Sequence, residues 1–142
     1  MCHLANWFIF VVIRYICPIW SHLPVLYKSK PNSKEFMRKI ESEMNAAIRG
    51  RRNWSKANTS VVINDSNDAL VYLHGNFIAK VSQYAVHLFD GGWQSVTTKS
   101  RLNAILDDFH YGSSVYQRNW NWFVNLQSGG TIPFYSGIEL NH

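Results

Sequence analysis

Residues 60–92 read SVVINDSNDALVYLHGNFIAKVSQYAVHLFDGG, and the fold is decided by how this stretch is punctuated. Apolar or alternating runs, Ser60 to Ile63, Leu70 to His74, Phe77 to Val81 and Ala85 to Phe89, are separated by residues that favour turns. Asp65-Ser66-Asn67-Asp68 divides the first run from the second, and Asp90-Gly91-Gly92 closes the last. Gly75-Asn76 reads as the two-residue loop of a hairpin with a primed turn. Runs this short, repeated this closely, predict an antiparallel meander of four strands.

Outward from the meander the period becomes helical. Upstream, Met37, Ile40, Met44, Ala47 and Ile48 recur on one helical face, Asn32 and Glu35 fit the two ends of a capping box, and Gly50 ends the helix. Downstream, Leu102, Ile105, Leu106 and Phe109 fall at i, i+3, i+4 and i+7 behind a Thr97-Thr98 N-cap. Beyond Gly112, residues 114–126 read as one aromatic-rich strand, followed by a turn at Gln127 to Gly130 and a last strand near Thr131 to Tyr135 that Pro133 confines to an edge. The expected class is α+β: an antiparallel β-meander sheet with two amphipathic helices packed on it, plus an apolar N-terminal extension.

A chain of 142 residues with 46% hydrophobic content supports one core, so residues 33–142 are expected to form a single α+β domain and residues 1–32 an extension outside it. In that extension Leu4 to Ile13 is apolar, Arg14 interrupts, and Tyr15 to Trp20 contains Pro18. Ten apolar residues do not cross a bilayer core of about 30 Å, and no secretory signal pattern is present. Residues 4–27 read either as a peripheral membrane anchor, with Trp7, Trp20 and Tyr27 at the interface, or as an upstream extension with Met37 as an internal start; the second reading is preferred. Cys2 and Cys17 both precede the domain, which excludes a disulfide or a thiolate zinc site within it and suits a reducing cytoplasm.

The formal charge of +5 is unevenly spread. Between Lys28 and Lys56 there are nine basic residues and three acids, and the remainder of the chain is slightly acidic. Such a segment points to a polyanion or to a solvated helix face, and Arg49, Arg51 and Arg52 also suit a helix C-terminus. The candidate anion site is Thr97, Thr98, Lys99, Ser100 and Arg101, where amide donors, hydroxyls and two cations stand at a helix start. Lys99 and Arg101 in the first turn and Asp107 and Asp108 in the last both oppose the macrodipole, and a bound anion would relieve the first. The alternative is that Lys99 and Arg101 pair with acids elsewhere, such as Asp90.

Arg51, Arg52 and Lys56 extend the expected polyanion surface, with Trp54 as the preferred stacking residue. Tyr116, Trp120 and Trp122 would share one strand face with Arg118, as a second stacking surface or, by preference, as core. The six histidines show no metal-binding helical spacing, no HExxH and no P-loop glycine pattern occur, and no metal or cofactor is expected. His74 and His87 are expected to be structural sheet histidines, and Asp107, Asp108 and His110 offer only a weak acid/base grouping.

Asn58-Thr59-Ser60-Val61, VYLHGNFIA (Val71 to Ala79) and Gly92-Trp93 leading into TTKSRLNAIL (Thr97 to Leu106) resemble small proteins of unknown function encoded by tailed bacteriophages and related mobile elements. The resemblance covers roughly residues 36–126 and implies a phage origin and the cytoplasm of an infected host cell. The leading expectation is a non-enzymatic accessory module that binds nucleic acid, single-stranded by preference, through phosphate contacts from Lys99, Arg101, Arg51, Arg52 and Lys56. The alternatives are a protein that binds and inhibits a host enzyme or defence system through its aromatic residues, and, weakest, an enzyme clamping a phosphorylated substrate with Lys99, Arg101 and His110.

Overall fold

The computed structural model describes residues 33–142, so the apolar extension, its membrane-anchor reading and the Asn32 end of the capping box lie outside the described residues. Helix α1 runs Ser33–Arg49 and helix α2 Val96–Phe109. The strands are β1 Trp54–Lys56, β2 Thr59–Ile63, β3 Ala69–Leu73, β4 Asn76–Val81, β5 Ala85–Leu88, β6 Ser114–Arg118, β7 Asn121–Asn125, β8 Thr131–Pro133 and β9 Ile138–Asn141. They form two antiparallel sheets, one of six strands in the order β1-β2-β3-β4-β5-β9 and one of three in the order β6-β7-β8. The class is the α+β arrangement expected, with a larger sheet than the four-strand meander. No helix among the described residues is long and apolar enough to cross a membrane.

Alternation sorts the larger sheet into two faces. Val61, Val71, Leu73, Val86 and Leu88 are buried and pack with Met44, Ala47 and Ile48 of α1 and Leu102, Ile105 and Leu106 of α2 in one core. Each such aliphatic side chain contributes about 1.5–3 kcal/mol by leaving water. On the opposite face Tyr72, Phe77 and Phe89 form an aromatic cluster, with ring centroids 5.5 and 4.5 Å apart.

The two helices lie side by side and run parallel, as a ladder of contacts at a sequence offset of 59 or 60 shows. Ser100 and Arg101 bond to Glu41, the Asn45 side chain donates to the Ala104 carbonyl at 2.8 Å, and Arg49 pairs with Asp108. Each rung sits one helical turn beyond the last. The charge pattern that opposed the macrodipole of α2 is thereby met from α1: Glu41 faces its basic start and Arg49 its acidic end.

Local turn chemistry differs from the sequence reading at two points. The β3–β4 loop is His74-Gly75, one residue earlier than expected, because the primed turn needs two successive positive φ angles and those residues supply 51° and 78°. The N-cap of α2 is Ser95, whose hydroxyl accepts the Thr98 amide at 3.0 Å, so the helix starts before the expected Thr97-Thr98 cap. Helix α1 ends immediately before Gly50, as expected, and the left-handed residue that follows is Arg51 (φ 49°). The amides of Arg51 and Arg52 bond back to Ile48 and Ala47, the Schellman pattern, while the Arg51 guanidinium is tied to the Val81 carbonyl at 2.8 Å.

Gly91 is required by both conformation and space. Its φ is +66°, and a Cβ there would stand 3.0 Å from the Cβ of Asn76 and 3.3 Å from Ile78. Gly91→Ala is therefore expected to destabilise the protein by about 2 kcal/mol, read as a lower urea midpoint with an unchanged slope.

Candidate nucleic-acid interface

The expected anion-site residues are distributed by the helix pairing rather than gathered. Arg101 is fully buried, its Nη1 donating to Glu41 Oε1 at 2.9 Å and its Nε to Thr59 Oγ1 at 3.2 Å. Ser100 also donates to Glu41. Thr98 is buried, and its hydroxyl is engaged by Ser95 Oγ and the Trp93 carbonyl. Thr97 is half-buried in the first turn, and Lys99 is half-buried with its Nζ donating to Gln117 Oε1 at 3.3 Å. Of the five, Thr97 and Lys99 are left facing outward at the start of α2.

The second expected group lies at the other end of the helix pair or is already engaged. Since α1 and α2 run parallel, the tail of α1, with Arg51 and exposed Arg52, lies beside the tail of α2, where Asp107 and Asp108 are. Six to nine residues of helix, about 9–14 Å, separate Asp107 and Asp108 from Lys99 and Arg101. Lys56 donates to both Glu43 oxygens at 2.8 and 2.9 Å, and Trp54 packs half-buried against the core. The described residues therefore do not bring the start of α2 and the tail of α1 into one surface.

The hydrogen bonds from Lys56 hold the Glu43 carboxyl below its ordinary value of 4.5, with Lys39 and Trp54 adding to the effect against a desolvation that opposes it. A depressed carboxylate contributes stability above its unfolded value, and that contribution is lost as pH falls through the folded one. The urea midpoints of wild type and Glu43→Gln are accordingly expected to differ at neutral pH and to converge as pH falls below 4.5.

Residues 114–126 are two strands, not the single strand expected. Asn119 and Trp120 both take positive φ, 49° and 66°, and the chain reverses there, with Arg118 paired to Asn121 and Gln117 to Trp122. The reversal splits the expected aromatic face. Trp122 is buried with Val115 and Val124, Tyr116 stacks on Phe123 across the other face at 5.6 Å, and Trp120 stands at the tip, 90% exposed.

This hairpin is aligned with α2. Asn103 exchanges hydrogen bonds with both backbone groups of Val115, at 2.7 and 2.9 Å, and Lys99 bonds to Gln117. Four helical residues rise about 6 Å and two strand residues about 6.6 Å, so helix and strand keep pace in opposite directions. One further step brings Ser95, the N-cap of α2, level with Asn119 at the tip. That end of the molecule carries Trp93 (73% exposed), Val96 (77%), Trp120, Lys99 and exposed Arg118. Among the described residues neither Lys99 nor Arg118 has a carboxylate within ion-pair distance. The neighbouring acid, Asp90, accepts the Gly92 amide at 2.9 Å within its own turn.

The histidines are spread over the fold. His74 contacts Asn58 at 3.2 Å, His87 lies 3.5 Å from Glu139, and buried His110 bonds to the Asn141 carbonyl at 3.0 Å. No group of metal-ligating side chains occurs among the described residues.

Trp93 is exposed with no pattern around it that marks it, and Trp120 lies in a turn rather than on the strand face expected. The signal for Trp120 was its place after Asn119, since Asn favours the first position of a primed turn. Compared with known proteins, residues 37–141 match the family model described as Kyanoviridae Gp96 protein. No curated protein and no solved structure matches the chain.

Proposed function

The chain belongs to the Kyanoviridae Gp96 protein family, a family of phage proteins, and from that premise we propose that it is an accessory protein that binds nucleic acid through phosphate contacts, without catalysis, in the infected cell. One observation carries the reading: Lys99, and Arg118 in the strand it bonds to, stand toward the same end of the molecule and, like Arg38, Lys39, Arg51 and Arg52, have no carboxylate within ion-pair distance among the described residues, while Arg49, Lys56, Lys80 and Arg101 each have one. Cations that a fold leaves unneutralised at one end of the molecule attract a polyanion, and phosphates are the usual source. Lys99 and Arg118 replace Arg101, Arg51, Arg52 and Lys56 as the central contacts. Thr97 and the open amides of the first turn of α2 stand beside them.

The test is a salt titration of binding to a labelled oligonucleotide. The logarithm of the affinity is expected to fall linearly with the logarithm of salt concentration, with a slope of about −0.7 per phosphate contacted on a single strand. A flat response, or no binding at low salt, overturns the proposal.

The exposure of Trp93, Val96 and Trp120 also favours a second reading, a protein that binds a host enzyme or defence component, because tryptophan and arginine dominate protein hot spots. Retention of a host protein from nuclease-treated lysate, with no oligonucleotide binding, supports that reading over the first.

A further inference from the structure

A primed two-residue turn has its second central residue in the left-handed region, where a side chain crowds its own backbone, and glycine is the default there. The β3–β4 turn follows that rule with His74-Gly75. The β6–β7 turn breaks it: the glycine slot holds Trp120, the bulkiest side chain available, at φ 66° and 90% exposed. The indole fills no core position at the tip.

The tip is also anchored. Both strands pair in register up to Arg118 and Asn121, the Asn121 side chain donates to the Asn119 carbonyl at 3.2 Å, and Val115, Trp122 and Val124 anchor the hairpin in the core. A large planar ring thus stands in solvent two residues from Arg118, on a hairpin whose Gln117 bonds to Lys99.

We infer that Trp120 is a stacking platform for an unpaired nucleobase, so that the ligand class of this surface is single-stranded rather than double-stranded nucleic acid. The inference rests on the phosphate-contact reading above and adds what that reading lacks, a contact that a duplex cannot satisfy. In a duplex the base faces are occupied by their neighbours; in a single strand they are open to an aromatic ring, with the backbone phosphates near enough for adjacent cations. Charge selects this partner over an apolar protein surface, since Arg118, two residues before Trp120, and Lys99, bonded to Gln117 in the same strand, have no carboxylate within ion-pair distance among the described residues.

The experiment compares the full chain with its Trp120→Gly and Trp120→Phe variants, using fluorescein-labelled oligothymidylate and a duplex of equal length at several salt concentrations. Glycine relieves the turn, so Trp120→Gly is expected to raise the thermal midpoint by about 4 °C. The same variant is expected to lose about tenfold in affinity for the single strand, a loss that unfolding cannot explain in a more stable protein. Trp120→Phe keeps a ring and is expected to lose less. Wild type is expected to prefer the single strand, with its tryptophan emission quenched on binding.

Single-strand binding by Trp120→Gly equal to wild type, with salt dependence retained, overturns the stacking role and leaves the phosphate contacts standing. Equal affinity for the duplex overturns the ligand class. Absence of any oligonucleotide binding by wild type at low salt removes the phosphate reading and the stacking role with it. Retention of a host protein that depends on Trp120, without oligonucleotide binding, assigns the tip to protein recognition instead.

Discussion

Arg101→Ala is expected to lower the unfolding free energy by about 3–5 kcal/mol, and the thermal midpoint by more than about 10 °C. The guanidinium is fully buried, and its carboxylate partner Glu41 has a side chain only 17% exposed. Truncation removes, among other contacts, the ion pair with Glu41, the hydrogen bond to Thr59, and the buried methylenes of the side chain. The largest part of the loss is the Glu41 carboxylate, left largely desolvated with Ser100 as its remaining donor. Glu41→Gln should also be costly, because it strands the buried cation. The double change of Arg101→Met with Glu41→Leu is expected to recover most of the stability, since apolar groups of similar volume need no partner. Urea unfolding of the four proteins checks this. A loss below about 1 kcal/mol for Arg101→Ala would show that the pair is not the strut between the helices that its burial implies.

The parts of the fold legible in the sequence were those whose determinants are local. Leu102, Ile105 and Leu106 mark α2 by spacing alone, and all three are fully buried. The meander was legible because its turns carry Gly, Asn and Asp. What escaped detection depends on distant partners. β1 is three residues long, and nothing in Trp54-Ser55-Lys56 shows that it pairs with β2. β9 becomes a strand by joining the edge of β5, more than fifty residues earlier. The β6–β7 turn was missed because Trp stands where Gly would announce a reversal.

Arg101 is the most instructive position in the candidate site. Charge alone suggested a surface cation, yet the buried face of α2 passes through Thr98, Arg101, Leu102, Ile105 and Leu106. The periodicity that identified the helix thus already included Arg101 on its inner side. Only the identity of its partner, Glu41, sixty residues away on a parallel helix, was beyond the reach of spacing.

Once Arg101 is assigned to the core, the polyanion reading rests on Lys99 and Arg118, and their joint reversal should have the largest effect on binding. Lys99→Glu with Arg118→Glu is expected to reduce affinity for single-stranded oligonucleotides by about 100-fold near physiological salt, and to flatten the salt slope by about 1.4, the share of two phosphate contacts. Both side chains lie at the surface without ion pairs among the described residues, so the change should leave the urea midpoint nearly unaltered. The loss should be similar for every base sequence, because phosphate contacts position the strand without reading it. The same reversal at Arg51 and Arg52, at the far end of the helix pair, is expected to change affinity much less. If the Arg51 and Arg52 pair matters as much as Lys99 and Arg118, the strand follows a longer path than the start of α2 and the hairpin tip define. If neither pair matters, the exposed tryptophans serve a partner that is not a polyanion.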